Sequence, residues 1–586
     1  MVLKATPTGN DQPLRPADFS SLASALDYAA LGRTGSNYHT GRGELYAVVT
    51  YTQLREQSLQ LARRLQSLGL ERGARLAIVS ETHPDFLRFF FACQYAGLIP
   101  VPMPIPLNLG GHKAYVAQIR AMLQSCRASV AMTPEGFKHL LGEALQGLEL
   151  DFWGTPADYD ALDENESDLR PLESGELAYL QYTSGSTRFP RGVMITQRAV
   201  MSNLASIITE GLAIRSSDRC VSWLPFYHDM GLVGLVLAPL ASQLTVDYLG
   251  TREFAMRPRQ WLSLLSRNRG TIAFSPPFGY ELCNRRLREG EAEQFDLSSW
   301  RVAGVGAETI RPQVLHDFAE TLRPSGFDGK AFLACYGMAE CSLAVSFAPL
   351  DSGLKVDAVD AEHLAVNDHA RPPADSDSGR LSEFVDCGRP LSEYEVEIWG
   401  ANGEVLPERR IGVIHVRAPS VMSGYFDDPV TTAETLSADG WLNTGDIGYH
   451  VGDNLVITGR SKDLIIINGR NIWPQDLEQL AELQPEVRPG DALAFAVPGA
   501  DGADVPVMVV QCRETDKDKR HELIRCLQGL IHTELGVDCH IELAPLHTLP
   551  RTSSGKLSRS KARLNYIEAQ VEPVGRPLTS AKAMQG

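Results

Sequence analysis

A run of small, hydroxyl-bearing and basic residues directly follows a predicted strand at residues 178–182. Its sequence is Tyr182-Thr183-Ser184-Gly185-Ser186-Thr187-Arg188-Phe189-Pro190-Arg191-Gly192-Val193. Small residues allow consecutive backbone N–H groups to converge on one point, and the hydroxyl and guanidinium groups add donors for phosphate oxygens. A solvated Ser/Thr-rich turn is the alternative, but it does not account for so many donors closed by Pro-Arg-Gly. The run therefore predicts a phosphate-binding loop.

Two other nucleotide-binding patterns are incomplete. Residues 304–309 resemble a dinucleotide fingerprint, but Thr309 replaces the third glycine and several predicted strands precede the segment. The Gly-Lys pair ending at Lys556 resembles a Walker loop, yet Pro550 stands at the first glycine and Leu557 at the magnesium-binding hydroxyl. Lys556 needs another explanation.

The composition is that of an ordinary globular protein. Hydrophobic residues make up 44% of the 586 residues and charged residues 22%, which excludes a disordered, collagen-like or disulfide-scaffold chain. The net charge of −17 gives no general attraction for nucleic acid or anionic lipid, so we expect no nucleic-acid partner. Ten cysteines without a C-x-x-C pair or zinc-ligand spacing favour reduced, mostly buried thiols in the cytosol.

The sequence predicts neither a secretory signal nor a membrane span. Residues 1–15 are polar and lack the apolar core of a signal peptide. The longest uncharged stretch, residues 89–111, contains four prolines that an uninterrupted membrane helix would not tolerate. We interpret it as a helix end, a buried strand and a turn, and we expect a cytoplasmic protein without membrane insertion.

Hydrophobic periodicity predicts a layered α/β fold. From about residue 76 to residue 335, short β-rich apolar runs alternate with longer helical patterns, which is typical of largely parallel sheets. The predicted strands are 76–79, 178–182, 220–224, 245–248, 272–275 and 302–305, and the predicted helices are 85–96, 198–210, 259–266 and 311–321.

Changes of pattern predict the domain boundaries. Residues 1–459 form a large N-terminal domain, in which residues 388–459 alternate as a small half-buried antiparallel sheet or barrel. Within it, residues 351–384 are rich in Asp, Ala, Pro and Ser with little periodicity, which indicates a long surface insertion. Residues 460–568 form a small, mobile α+β C-terminal domain, and residues 569–586 a flexible tail.

Seven motifs between residues 182 and 556 occur in the order found in adenylate-forming enzymes, and the resemblance covers nearly the whole chain. After the phosphate loop they are Trp-Leu-Pro-Phe-Tyr-His-Asp-Met-Gly at 223–231, Gly-Ala-Glu at 306–308, Tyr-Gly-Met-Ala-Glu at 336–340, Thr-Gly-Asp at 444–446, Gly-Arg-Ser-Lys-Asp at 459–463 and Pro-Arg-Thr-Ser-Ser-Gly-Lys at 550–556. Ordered motifs are far stronger evidence than any single match. The blocks at 223–231 and 306–308, with the added residues between Glu340 and Gly388, resemble the fatty acyl-AMP ligases of this superfamily.

The resemblance implies a two-step reaction. With ATP and Mg²⁺, such enzymes convert a medium- or long-chain fatty acid to an acyl-adenylate and release pyrophosphate. They then transfer the acyl group to the phosphopantetheine thiol of an acyl carrier protein. Because a carboxylate attacks an anionic phosphate, cations must be brought to the α-phosphate in the transition state.

The resemblance also implies the roles of individual residues. The catalytic positions are Lys556, a mobile lysine that contacts the carboxylate and the α-phosphate, His228 at the mouth of the acyl tunnel, and Glu340, which would also hold Mg²⁺. Lys462 would be the hinge between the large and small domains. The nucleotide-binding positions are Thr183, Ser184, Gly185, Ser186, Thr187, Arg191, Gly306, Ala307, Glu308, Tyr336, Gly337, Met338, Ala339, Asp446 and Arg460, and the acyl-binding positions are Met230, Gly231, Leu232 and Phe278.

Each role has a structural alternative. Lys556 could be an exposed surface lysine, Glu340 a helix cap, and Asp446 or Arg460 half of an ordinary ion pair. A lone histidine such as His228 is more often simply packed or hydrogen-bonded. Core packing accounts for the acyl-binding residues equally well.

Two positions in the phosphate loop differ from the usual superfamily pattern. Arg188 stands where glycine is common, and Arg191 where lysine is common. Both keep or add positive charge, and arginine binds phosphate bidentately, so we expect altered pyrophosphate contacts and preserved catalysis. The 351–384 insertion could restrict domain rotation or block the coenzyme A route, as is proposed for such insertions in this subgroup.

Three functions are compatible with these motifs, and the first is favoured. They are a fatty acyl-AMP ligase, a fatty acyl-coenzyme A ligase or aryl- or amino-acid-activating enzyme with the same first step, and a non-catalytic acyl-nucleotide-binding paralogue. The thiol acceptor separates the first two. The joint presence of Lys556, Glu340 and Asp446 argues against the third.

Overall fold

The computed structural model describes residues 3–10, 12–106, 112–183, 190–288, 290–374, 380–467, 470–488, 490–499, 504–552 and 556–570. The chain divides into two compact units. The first unit ends at Ser461 and the second begins at Lys462.

The strands described in the first unit are β1 Gly35–His39, β2 Leu45–Thr50, β3 Arg75–Val79, β4 Ile99–Met103, β5 Ala128–Met132, β6 Phe152–Gly154, β7 Leu177–Tyr182, β8 Gly192–Thr196, β9 Arg219–Ser222, β10 Thr245–Leu249, β11 Ile272–Ser275, β12 Val302–Val305, β13 Phe332–Gly337, β14 Ala344–Phe347, β15 Val356–Asp360, β16 Leu381–Val385, β17 Arg389–Pro390, β18 Glu395–Trp399, β19 Gly412–Arg417, β20 Leu442–Val451 and β21 Asn454–Arg460.

The α-helices described in the first unit are α1 Leu22–Ala29, α2 Tyr51–Gln66, α3 Pro84–Ala96, α4 His112–Ser125, α5 Lys138–Ala144, α6 Pro156–Asp160, α7 Gln197–Ser206, α8 Ala238–Ala241, α9 Thr251–Met256, α10 Arg259–Asn268, α11 Pro277–Arg286, α12 Pro312–Leu322, α13 Ala361–Asn367 and α14 Pro429–Thr435. Two π-helical segments, Ile207–Gly211 and Met230–Leu237, continue or precede α-helices.

A nine-stranded sheet forms the centre of the first unit. Its order is β17-β14-β13-β12-β11-β9-β10-β1-β2. The six strands from β13 to β1 are parallel, and antiparallel strands close both edges. A second sheet, β4-β3-β5-β6, is parallel throughout, and β18 to β21 form an antiparallel sheet. The predicted α/β class is therefore confirmed.

The parallel sheets are buried on both faces. On β3, Leu76 and Ile78 belong to the main hydrophobic core, whereas Ala77 and Val79 pack into a separate cluster with residues of α4 and α5. Side chains that alternate between two apolar layers produce the near-continuous apolar runs that predict such strands. One predicted strand is too long, because β9 ends at Ser222. After Ser222, the Leu224 N–H donates to Ser222 Oγ (3.2 Å), and the Trp223 carbonyl accepts a hydrogen bond from Thr251 Oγ1 (2.9 Å), so neither group pairs with a neighbouring strand.

The insertion at 351–384 contains regular structure that its weak periodicity does not predict. Strands β15 and β16 pair antiparallel, and α13 follows β15 with Asp360 as its N-cap. The Arg409 guanidinium donates to both oxygens of Asp357 at 3.1 Å, and the Tyr449 hydroxyl donates to Asp357 Oδ2 at 2.6 Å. Capping and charged hydrogen bonds therefore add to the packing of buried apolar residues such as Val359 and Leu364 in fixing this segment on the first unit.

The second unit is a separate α+β module. It contains β22 Ile465–Ile467, β23 Arg470–Ile472, β24 Ala492–Pro498, β25 Asp504–Gln511 and β26 His540–Ala544, with the helices α15 Pro474–Glu482, α16 Lys517–Leu535 and α17 Arg559–Gln570. Strand β25 pairs antiparallel with β24 and parallel with β26. The two faces of β24 contact different clusters, since Ala492 and Ala494 face one core and Leu493 and Phe495 the other.

Two further sequence expectations can be compared with the described residues. All ten cysteines are free, and Cys526 is the exposed one among them. No described helix combines the length and the apolar character that a bilayer crossing requires.

We predict that Asp357→Ala lowers the free energy of unfolding by about 2 kcal/mol, because it removes charge-assisted hydrogen bonds and leaves Arg409 without its carboxylate. Denaturant titration of the purified protein measures this change, and limited proteolysis should cut sooner within residues 351–384. The control is Glu362→Ala on the exposed surface of α13, which should stay within about 0.5 kcal/mol of the unsubstituted protein. Equal stability of the two variants would contradict the anchoring role of Asp357.

Candidate active site

Four segments that carry predicted site residues directly follow parallel strands of the nine-stranded sheet. Residues 223–228 follow β9, residues 276–278 follow β11, residues 306–308 follow β12, and residues 338–340 follow β13. Because parallel strands point the same way, the segments after them lie along one edge of the sheet, where ligands of open α/β sheets bind. This edge is the candidate active site of the first unit.

His228 lies at the end of the segment after β9. Its Nδ1 is 2.6 Å from Asp229 Oδ1, and both side chains are about 15% exposed. Asp229 Oδ1 also accepts a hydrogen bond from the Met230 N–H, where the π-helix Met230–Leu237 begins. The short contact with Asp229 agrees with the alternative interpretation of His228 as a simply hydrogen-bonded residue. His228 also lies at the candidate edge of the sheet.

The predicted acyl-binding residues 230–232 occupy the first turn of that π-helix. Met230 and Leu232 are buried. A β-carbon at Gly231 would lie 2.1 Å from the Pro225 carbonyl oxygen, so only glycine allows this close approach. Phe278 packs edge-on against Trp223 at 5.8 Å between ring centroids. These contacts are what core packing predicts, and they also place apolar groups next to His228.

The Gly-Ala-Glu segment after β12 has a constrained backbone. A β-carbon at Gly306 would lie 2.7 Å from the Cys335 carbonyl oxygen, and Ala307 has a φ of +69°. Glu308 Oε1 accepts a hydrogen bond from the Phe278 N–H at 3.0 Å. Because that N–H is in the first turn of α11, the carboxylate also faces the positive end of the helix dipole. Glu308 therefore joins the segments after β11 and β12.

Asp446 is buried between two of the predicted nucleotide-binding residues. The Tyr336 hydroxyl donates to Asp446 Oδ2 at 2.7 Å, and Arg460 Nε is 3.0 Å from Asp446 Oδ1. Asp446 and Arg460 also face each other across β20 and β21. Burial, with a further contribution from Asp446, raises the pKa of Tyr336 well above its ordinary value, so the phenol stays a donor. The structure brings these three residues together.

Glu340 follows β13 in a short 3₁₀ turn, Ala339–Cys341, and Gly337 and Met338 connect strand and turn. Its Oε1 accepts a hydrogen bond from the Tyr425 hydroxyl at 2.9 Å. Burial raises the pKa of the Glu340 carboxyl above its usual value, and Asp229 adds to this rise. The Tyr425 hydroxyl and Arg460 act in the opposite direction. Glu340 is thus a half-buried carboxylate that is influenced by one guanidinium and one hydroxyl donor.

Only part of the predicted phosphate loop lies within the described residues. Ser184, Gly185, Ser186, Thr187 and Arg188 lie outside them. At the two ends of the loop, the Thr183 N–H donates to the Arg191 carbonyl at 3.1 Å. The Arg191 guanidinium lies 5.4 Å from the centroid of the Tyr425 ring, and its Nε is 3.9 Å from Asp428 Oδ2.

Lys556 belongs to the second unit, where two hydrogen bonds with Thr552 hold its backbone. The Thr552 N–H donates to the Lys556 carbonyl at 2.7 Å, and the Lys556 N–H donates to Thr552 Oγ1 at 3.2 Å. Leu549 and Leu557 pack with α17 in the cluster around Phe495. Lys462, the predicted hinge, is the first residue of this unit.

The family description "AMP-binding enzyme" matches residues 33–426. The chain belongs to the AMP-binding enzyme family. A Caulobacter vibrioides protein, described provisionally as an acyl-CoA synthetase, is 47% identical over 566 residues, which cover 96% of this chain and 98% of that protein. The medium-chain-fatty-acid–[acyl-carrier-protein] ligase JamA of Moorena producens is 31% identical over 583 residues, which cover 95% of this chain and 96% of JamA.

A solved structure from work on the fatty acyl-adenylate ligases of E. coli and L. pneumophila is also similar. It is 47% identical to this AMP-binding enzyme, covers 95% of this chain and 100% of the other, and has a TM-score of 0.92. The resemblance to fatty acyl-AMP ligases and the prediction of an adenylate-forming ligase that uses ATP are confirmed. The chain is therefore an enzyme of this class rather than a non-catalytic paralogue.

Sequence reasoning missed two residues that contact the predicted site of this AMP-binding enzyme. Asp229 is adjacent to His228 within a motif, so its side chain could have been noticed. Tyr425 lies outside all seven motifs and 85 positions from Glu340, and nothing in its local sequence indicates the contact.

We predict that Glu340→Gln makes the ligand-free enzyme more stable at neutral pH. Since the folded pKa of Glu340 is above its unfolded value, the native state binds more protons between the two values, and stability falls as pH rises through that window. The amide cannot ionise, so the gain should be present above the folded pKa and absent below the unfolded one. Melting temperatures measured across acidic and neutral pH test this, and a variant less stable at neutral pH would contradict it.

Proposed function

We propose that this enzyme converts a medium- or long-chain fatty acid to its acyl-adenylate and then transfers the acyl group to the phosphopantetheine thiol of an acyl carrier protein. The observation that carries the proposal is the convergence of Glu340, Asp446 and Arg460 at the carboxyl edge of the nine-stranded sheet. The fatty-acid and carrier-protein names of similar proteins support the choice of substrates.

In the first step, a carboxylate oxygen of the fatty acid attacks the α-phosphorus of ATP. A C–O–P bond forms and the bond to pyrophosphate breaks, so negative charge accumulates on the phosphoryl oxygens. Arg191, Thr183 and the undescribed donors of residues 184–187 bind the phosphates in this proposal. Arginine offers two parallel donors to one phosphate group, which suits the departure from lysine at this position.

Asp446 accepts the ribose hydroxyls in our proposal. Each of its oxygens already receives one donor, from Tyr336 or from Arg460, and each keeps a second lone pair for a ligand hydroxyl. These two donors fix the orientation of the carboxylate before the nucleotide binds. Residues 306–308 and 336–339 border the adenine and the adenylate phosphate.

Glu340 is the residue that fits Mg²⁺. Among the described residues, no group of three or more His, Cys, Asp or Glu side chains is arranged to hold a metal ion. That suits Mg²⁺ bound by one carboxylate together with substrate phosphates and water, rather than by a protein cage. Bound there, Mg²⁺ would neutralise phosphate charge during the displacement.

His228 and the apolar residues beside it form the acyl side of the site in our proposal. Met230, Gly231, Leu232 and Phe278 contact the chain, and the imidazole covers the mixed anhydride. Exclusion of water matters because an acyl-adenylate hydrolyses readily if water reaches it. The Asp229 carboxylate fixes the ring orientation through His228 Nδ1.

The second unit supplies Lys556, whose ammonium group bridges the fatty-acid carboxylate and the α-phosphate during the first step. Backbone rotation at Lys462 then exchanges this lysine for the pantetheine arm. The thiolate attacks the acyl carbonyl, a thioester forms, and AMP leaves with the electrons of the broken C–O bond.

Transfer to coenzyme A is the alternative second step. The provisional name of the Caulobacter vibrioides relative favours it, whereas the name of JamA favours a carrier protein. The adenylation step is the same in both, so the acceptor needs its own experiment. The insertion at 351–384 is consistent with our choice, because such insertions are proposed to exclude coenzyme A in the subgroup that this chain resembles.

We predict that Lys556→Ala lowers the rate of acyl-adenylate formation about 10²–10³-fold, because a cation at the developing charge is lost. Radiolabelled pyrophosphate release or chromatography of acyl-AMP measures this rate. The matched control is Lys561→Ala, which removes an exposed lysine of α17 and should leave the rate unchanged. Equal rates for both variants would contradict the role of Lys556.

We expect acyl transfer to a phosphopantetheinylated carrier protein and accumulation of acyl-adenylate with coenzyme A. Purified enzyme is incubated with ATP, Mg²⁺ and a medium-chain fatty acid, in parallel with each thiol, and the products are separated by mass spectrometry. Carrier protein without its pantetheine arm is the control. Efficient formation of acyl-coenzyme A would replace our proposal with the alternative, and absence of adenylate with every acid tested would refute it.

A further inference from the structure

Tyr425 lies on a segment that pairs with β8, the strand that leaves the predicted phosphate loop. The Ser423 N–H donates to the Met194 carbonyl at 3.0 Å, the Met194 N–H to the Gly424 carbonyl at 3.0 Å, and the Phe426 N–H to the Gly192 carbonyl at 2.8 Å. Backbone hydrogen bonds thus hold Tyr425 beside Val193.

Backbone hydrogen bonds and a glycine shape the chain around Tyr425, whose side chain is buried in the main core. Gly424 has a φ of +135°, which glycine adopts without strain, and the Tyr425 N–H donates to Thr432 Oγ1 at 2.9 Å. The same chain segment also reaches the turn after β13, because the Met422 N–H donates to the Glu340 carbonyl at 2.8 Å. None of these hydrogen bonds uses the Tyr425 hydroxyl, which is left to contact the site.

The Tyr425 side chain contacts two predicted site residues at once. Its hydroxyl donates to Glu340 Oε1 at 2.9 Å, and its ring face lies 5.4 Å from the Arg191 guanidinium carbon. A donor to a partly buried carboxylate fixes the direction of its lone pairs, and an aromatic face supports a planar guanidinium better than a flexible ammonium. Asp428 lies on the other side of Arg191 at 3.9 Å.

We propose that Tyr425 is a positioning residue for adenylation, which orients the Glu340 carboxylate with its hydroxyl and the Arg191 guanidinium with its ring. The inference rests on the proposed function, because it assigns Glu340 to Mg²⁺ and Arg191 to the phosphates. It also accounts for arginine rather than lysine at position 191. The two contacts can be tested separately, because the hydroxyl makes the contact with Glu340 and the ring makes the contact with Arg191.

The test compares Tyr425→Phe, which removes only the hydroxyl, with Tyr425→Leu, which removes both the hydroxyl and the aromatic ring. Calorimetry measures binding of α,β-methylene ATP, which the enzyme cannot cleave, with Mg²⁺ and with EDTA. Tyr425→Phe should weaken the Mg²⁺-dependent affinity about 10-fold and leave the EDTA affinity unchanged, since one hydrogen bond to a charged group is lost. Tyr425→Leu should weaken both affinities.

The matched control is Tyr159→Phe, because the buried Tyr159 hydroxyl donates to the Ala131 carbonyl at 2.9 Å, away from the candidate edge. It should change the melting temperature as much as Tyr425→Phe and should not change nucleotide binding. If Tyr425→Phe binds the analogue like the unsubstituted enzyme under both conditions, the proposal is overturned.

A double-mutant cycle keeps the proposal testable if Tyr425→Phe is less stable than the control. In a Glu340→Gln background, Tyr425→Phe should have no further effect on Mg²⁺ dependence, because the charged carboxylate that the hydroxyl orients is already replaced by a neutral amide. An additive effect would show that Tyr425 acts elsewhere and would overturn the assignment. The assay needs neither fatty acid nor carrier protein, so failure of the proposed function would appear separately, as a lack of acyl-adenylate with the unsubstituted enzyme.

Discussion

The candidate site depends on the common direction of the parallel strands in the nine-stranded sheet. Strands β9, β11, β12 and β13 end at the same edge, so the short segments after them are brought together although they are far apart in sequence. The edge is the natural ligand position of an open α/β sheet. Close backbone approaches at Gly231 and Gly306 then leave little freedom in these segments. Rigid support of this kind is what a site needs when it must bring two anions together.

The carboxylates at this edge need hydrogen-bonding and cationic partners because they are partly removed from water. Glu340 and Asp446 are carboxylates in poorly hydrated surroundings, and each has a hydroxyl donor from a tyrosine. Arg460 contacts Asp446 and lowers the pKa of Glu340, while Arg191 stands at the end of the phosphate loop. A buried carboxylate without such partners would tend to take up a proton. Burial raises the pKa of Glu340 despite these partners, so they compensate only part of its lost hydration.

In the second unit, two hydrogen bonds with Thr552 hold the backbone of Lys556. Leu549 and Leu557 pack with α17 in one apolar cluster, and Arg559 in the same helix forms two hydrogen bonds with Glu478 of α15. A backbone held in this way loses less conformational entropy when its side chain binds a ligand.

The sequence by itself determined the α/β class and the family, and its motifs proposed the candidate site residues. Parallel strands buried on both faces must be continuously apolar, and binding of phosphate and ribose needs particular residue types at fixed spacing, so both leave local patterns. Only the tertiary structure decided the contacts of Tyr425 with Glu340 and Arg191, the two contacts of Asp446, the pairing of β15 with β16 beside the Asp357–Arg409 contact, and the early end of β9. These depend on side chains distant in sequence that meet through the packing of strands, and a single hydrogen bond across such a distance leaves no periodic signal in the chain.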